Sequence, residues 1–151
     1  MLSNNKDAEG NVKYDNIEGN TITVYNPGDM ETDFCLYFKL TGTEYKVDFD
    51  GKTVRCLYPK DSFELSRISL GSNSLYFNTF SFEPSDTQVF YIRINTKTNL
   101  IEGLDYDLKP TGILYNKFIT SGDFFKIPLN ESKLNLEGAT ASKIEYDYIY
   151  Y

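Results

Sequence analysis

The sequence predicts an all-β fold: an antiparallel β-sandwich with little or no helix. Three observations predict it. Apolar residues recur mainly at every second position, the period of a strand with one buried face. Short alternating runs are separated at regular intervals by turn residues. Tyr and Phe supply 13 and 11 of the 151 residues, an aromatic usage that suits a pleated surface.

The candidate strands, in order, are 20–25, 33–40, 44–49, 53–58, 62–67 and 74–82, then 88–95, 104–108, 112–119, 123–127, 132–137 and 142–150. Residues 1–19 read as a polar leader or linker, and 20–151 as the β-sandwich domain. A chain of this length forms one domain and buries about two thirds of its unfolded surface, so its core needs no disulfide or metal.

The first strand carries Ile22 and Val24 and ends at "YNPGD" (25–29). There Pro27 and Gly28 suit the central positions of a type II turn, with Asp29 accepting from turn amides. In "DFCLYFKL" the core register is Phe34, Leu36, Phe38 and Leu40, which turns Cys35, Tyr37 and Lys39 outward. In "YKVDFDGKTVRCLY", Asp50-Gly51 fits a two-residue hairpin turn, with Tyr45, Val47 and Phe49 on one face and Lys46 and Asp48 on the other. In "LDYDL" the alternation puts Leu104, Tyr106 and Leu108 inside and Asp105 and Asp107 outside. In "SGDFFKIP" a turn precedes Phe124-Phe125, only one of which can face the core. The closing run "SKIEYDYIYY" lines Ile144, Tyr146, Tyr148 and Tyr150 on one face.

Charge and thiols narrow the function. Lys and Arg total 15 against 22 Asp and Glu, a net charge of −7. Such a surface repels phosphates, so neither nucleic acid nor an anionic membrane is an expected partner. No run approaches the roughly 20 apolar residues of a membrane-spanning helix, and the polar opening does not read as a signal peptide. Cys35 and Cys56 point to opposed faces and read as two free thiols, which fits assembly in a reducing cytoplasm.

The chain has no histidine, which excludes imidazole bases, Ser-His-Asp and Cys-His triads and His-liganded metals. No GxGxxG, P-loop or GxSxG motif occurs, and no cofactor is expected. Asp29, Glu31 and Asp33 have the spacing of the start of a calcium loop, but Phe34 stands where that loop continues, so they read as the wet side of an extended segment. The sequence therefore points away from an enzyme. Aromatic side chains remain as the binding resource. By register the outward set is Tyr37, Tyr91 with Arg93, and Tyr76, a set suited to a protein partner or to the face of a sugar.

Three pieces in this order resemble the C-terminal domain of siphophage distal tail proteins (Dit), the phage tail component family. They are "VYNPGDMETDFCLYFKL", "FYIRINTKTNLIE" and "SGDFFKIPLNESKLNLEG" followed by "KIEYDYIYY". The resemblance covers roughly residues 20–151 and departs at Leu129-Asn130-Glu131, where the family tends to a Pro-x-Gly-x-Asn turn. It implies a galectin-like, jelly-roll type sandwich without catalytic activity. The implied role is a peripheral domain of a phage or prophage tail tip that docks other tail, baseplate or receptor-binding proteins. The implied setting is a virion tail made in the bacterial host cytoplasm. The alternative is a carbohydrate-binding module that recognises host cell-wall glycans through the surface tyrosines.

Overall fold

The computed structural model describes residues 20–151 and, before them, the backbone of three short strands. In chain order the strands begin with β1 (Asn4–Lys6), β2 (Asn11–Tyr14), β3 (Ile17–Glu18), β4 (Thr21–Asn26) and β5 (Phe34–Lys39). They continue with β6 (Gly42–Phe49), β7 (Lys52–Lys60), β8 (Arg67–Leu70), β9 (Asn73–Phe77) and β10 (Tyr91–Asn95). The last are β11 (Leu100–Leu104), β12 (Pro110–Leu114), β13 (Ile119–Gly122), β14 (Asn130–Glu137) and β15 (Lys143–Asp147). Among the described residues the single helical element is a 3-10 turn, Asn116–Phe118.

Two antiparallel sheets pack face to face as a β-sandwich, the predicted fold class. One has seven strands in the order β1-β2-β15-β5-β10-β11-β12, the other six in the order β13-β9-β8-β14-β4-β3. Strands from both ends of the chain sit side by side in each sheet, so the fold closes only when β14 and β15 arrive. A third, two-stranded unit, β6-β7, stands apart from both.

The alternation that predicts the strands also fills the core. Phe34, Leu36 and Phe38 of β5, Ile92 and Ile94 of β10, and Ile144 and Tyr146 of β15 face inward from the first sheet. Ile22 and Val24 of β4, Leu134 and Leu136 of β14, and Ile68 and Leu75 answer from the second. All join one buried cluster, and each large apolar side chain there contributes about 1.5–3 kcal/mol of transfer free energy. One end of the cluster is closed by rings: Phe63 meets Phe38 at 5.4 Å and Phe80 at 5.0 Å, both edge-on.

Several predicted elements differ. Residues 62–67 alternate as a strand would, with Phe63 and Leu65 buried, yet form no ladder until Arg67. The segment crosses from the ribbon to the second sheet, and its two apolar side chains drop into the core cluster. Of residues 104–108 only Leu104 is in a strand and 105–108 form a turn: Leu108 has φ of 65°, Tyr106 is exposed, and the Asp105 carboxylate accepts from the N–H groups of Asp107 and Lys109. The strand lies just upstream, as β11. Residues 123–127 contribute only an isolated bridge, Thr32 with Ile127, although Phe125 is buried as one ring of the Phe124-Phe125 pair. The closing strand stops at Asp147, and Tyr150 is exposed. In the stretch expected as leader, β2 pairs with β15 and β3 with β4.

Candidate docking surfaces

The corner "YNPGD" is built differently from the predicted type II turn. Gly28 does not take a positive φ. Its requirement is room, because a Cβ there would stand 2.7 Å from the Ile149 carbonyl oxygen and 2.9 Å from the Ile149 nitrogen. Asn26, fully buried, braces the turn: its Oδ1 accepts from the Gly28 N–H at 3.0 Å, and its Nδ2 donates to the Met30 carbonyl at 3.0 Å. Asp29 serves the C-terminal segment and not the turn. Its N–H donates to the Ile149 carbonyl at 2.7 Å, and its Oδ2 accepts from the Tyr151 N–H at 3.1 Å.

The neighbouring buried polar residue is Thr96, directly after β10. Its Oγ1 accepts from the Phe34 N–H at 2.9 Å and lies 3.1 Å from Asp33 Oδ1. Residues 25–34, 95–97, 127 and 146–151 thus meet at one end of the sandwich. A shallow groove of about 250 Å³ opens beside them, lined in part by Asp33, Cys35, Lys97, Glu145 and Asp147. Cys35 is half-buried in its wall, and burial raises its thiol to about 11, against the pull of Arg93. Cys56 is a buried free thiol in the ribbon. The sequence does not single out Asn26 and Thr96, two buried polar residues that brace this corner; each is a polar residue at the end of a strand, which is the signal that could find them.

The predicted outward set divides between sheets. Tyr37, Tyr91 and Arg93 share the outer face of the seven-stranded sheet, while Tyr76 lies on β9 of the other. In the first group the row Glu102, Arg93, Tyr37, Lys143 runs directly across β11, β10, β5 and β15. Arg93 Nε donates to Glu102 Oε2 at 2.6 Å. That carboxylate, ahead of the partly opposing burial, raises the affinity of the guanidinium for its proton. Tyr37 points outward as expected, but it is buried and not an open ring. The ammonium of Lys143 is 4.5 Å and the guanidinium carbon of Arg93 5.9 Å from its ring centre. Burial pushes its hydroxyl up to about 12. Tyr91 is half-buried. Tyr76 is exposed, with the Arg67 guanidinium 5.2 Å from its ring.

The ribbon is the more prominent surface. Asp50 and Gly51, with φ of 55° and 75°, form the predicted two-residue turn. Every residue from Thr43 to Asp50 is exposed. Tyr45, Val47 and Phe49 line one face, Phe49 being 69% exposed, and Val54 lies opposite Val47. On the other face the Arg55 guanidinium stacks 3.9 Å above the Tyr106 ring. The base of the ribbon is pinned by Lys60, whose ammonium donates to the carbonyls of Leu57 and Asp86. Asp86 is itself buried, accepting from the Tyr115 hydroxyl at 3.0 Å and the Glu83 N–H at 3.2 Å. Among the described residues no group of three or more acidic or thiol side chains is arranged to hold a metal ion. Nor is any helix among the described residues long and apolar enough to cross a membrane.

Comparison with protein-family models, with curated proteins and with solved structures gives no match.

Proposed function

We propose that this chain is a non-catalytic structural component of a phage or prophage tail tip, a peripheral β-sandwich that docks other tail or receptor-binding proteins. The reading rests on the resemblance to the distal tail protein domain. The observation that carries it is the meeting of the resembling pieces at one corner. Asn26 and Asp29 of the first piece, Thr96 of the second, and Ile127, Tyr146 and Ile149 of the third are joined there by hydrogen bonds. Their shared order along the chain therefore has one structural purpose: it fastens the entry to β5 against the chain's last strand and tail. Residues spent on that purpose are not a reaction site, and binding falls to the outer surfaces.

Electron microscopy of tail particles carrying this protein, decorated with antibody against it, tests the reading. Label at the distal end of the tail is expected. Label absent from particles, or spread along the tail tube, rejects it. A cell-wall glycan array separates the alternative, since binding abolished by Tyr76→Ala or Tyr91→Ala would make the domain a carbohydrate-binding module.

A further inference from the structure

The free edge of β6 carries a self-complementary code. We propose that the β6-β7 ribbon pairs edge to edge with the ribbon of a second copy of this chain, β6 against β6, antiparallel about Val47. The inference does not depend on the tail role.

β6 pairs with β7 alone among the described strands, so its second edge is open. The ladder is closed by the Phe49–Lys52 pair across a two-residue turn. Such a closing pair is hydrogen-bonded, and the bonding then alternates along the ladder. Tyr45, Val47 and Phe49 therefore spend their backbone groups on β7. Glu44, Lys46 and Asp48 aim theirs outward. An open edge with exposed apolar neighbours is a template for another strand, and a two-stranded ribbon is only marginally stable by itself. β6 holds no proline, its charges alternate in sign so that they can be paired by a second strand, and its one irregularity lies at its base, between Gly42 and Glu44.

Side chains then select the occupant and the register. Along β6 the charges alternate as Glu44, Lys46, Asp48. Antiparallel pairing centred on Val47 sets Lys46 opposite the partner's Asp48, and Asp48 opposite the partner's Lys46. It also sets Tyr45 opposite the partner's Phe49, an aromatic cross-strand pair, and leaves Glu44 level with the partner's Asp50, an acid that stands beyond the strand in the turn. Both facing pairs that must exchange hydrogen bonds have outward backbone groups. Sliding the centre to Lys46 would oppose two lysines and set Asp48 against the partner's Glu44, which is repulsive. Centring on Tyr45 keeps one kind of ion pair but leaves Val47 opposite Thr43 and loses the aromatic match. The β7 edge cannot substitute: Lys52, Arg55 and Lys60 are its charges, and it has no acid to pair them. The contact is isologous, so it closes as a dimer. A contact confined to one strand from each copy is small beside the roughly 1,200 Å² typical of stable complexes, so a concentration-dependent dimer is expected.

Sedimentation of the full chain over roughly a hundredfold range of concentration reads the monomer–dimer balance. Dimer rising with concentration is expected. Asp48→Lys opposes lysines across the dyad and should weaken the dimer at least about tenfold, while the double exchange Lys46→Asp with Asp48→Lys restores it. As a second readout, Val47→Cys in a Cys35→Ser chain should cross-link on mild oxidation, because facing residues of a non-hydrogen-bonded pair are about 4.5 Å apart at Cα. A chain that stays monomeric throughout, or a dimer indifferent to Asp48→Lys, overturns the proposal.

Discussion

The Tyr146 hydroxyl holds both backbone groups of Tyr25, donating to its carbonyl and accepting from its N–H, each at 3.0 Å. The contact joins β15 of one sheet to β4 of the other across 121 residues of sequence. Tyr146 also packs in the shared core, so one side chain supplies a hydrophobic contact and a clasp. Tyr146→Phe keeps the ring and strips the clasp, leaving two backbone groups without this partner. The expected loss is about 1–3 kcal/mol of folding free energy, read by urea denaturation with an unchanged m-value. Tyr146→Ala also opens a cavity and costs about 3–5 kcal/mol. A Phe variant as stable as the parent would show that the clasp contributes nothing.

Gly28 gives a second prediction, separable from any turn effect. Its φ suits ordinary residues, so Gly28→Ala carries no strain in the turn itself. The new methyl instead collides with the Ile149 backbone, a segment held by Asp29. The C-terminal residues are then displaced, at a cost of about 1–3 kcal/mol. Amide hydrogen exchange locates the damage: the N–H groups of Asp29 and Tyr151 should lose protection while those of β10 keep theirs. Uniform loss across the sheets would contradict it.

These residues also show what the sequence can and cannot convey. Asp50-Gly51 is legible because the turn's demand for positive φ is met by the two residues themselves. The core positions of β4, β5 and β14 are legible because a period of two has one meaning where a single face is buried. Gly28 reads as a turn glycine because its actual constraint comes from Ile149, distant in sequence. Phe63 and Leu65 alternate like a strand, yet no neighbour offers them a ladder. Tyr37 obeys its outward register and is still covered, since Lys143 and Arg93 arrive from adjoining strands. The strands β2 and β3 of the first 19 residues carry little apolar signal, because what defines them is main-chain pairing with β15 and β4.

Alkaline conditions should weaken the fold. Burial raises the acid groups of Cys35 from 9.0 to about 11 and of Tyr37 from 10.0 to about 12; burial, with Asp86 beside it, raises Tyr115 too. Each is held neutral in the native state at a pH where the unfolded chain has already released its proton. The native state then binds more protons than the unfolded one, and stability falls as pH rises. The contribution is intact below pH 9 and is lost progressively between about 9 and 12. Denaturation midpoints measured across that window should decline, and Cys35→Ser should flatten the lower part. Alkylation of Cys35 in the native protein should likewise rise with a midpoint near 11 rather than 9.0.

The Arg93–Glu102 pair allows a test of whether the outer face is an open binding surface or a finished piece of structure. The two side chains are only 18% and 13% exposed, and 2.6 Å separates the bonded atoms. A carboxylate that is so covered has little water to fall back on. Removing the guanidinium in Arg93→Met therefore leaves Glu102 poorly solvated and should cost about 1.5–3 kcal/mol. Removing both charges, in Arg93→Met with Glu102→Met, takes away the attraction and the burdened carboxylate together. The double variant should be more stable than the sum of the two single losses predicts, a coupling of about 1–3 kcal/mol in a denaturation cycle. Strict additivity would mean that water, and not Arg93, satisfies Glu102, and the face would then be open to a ligand. A strong coupling places Arg93 in the fabric of the sheet and directs the search for partners to the ribbon and to Tyr76.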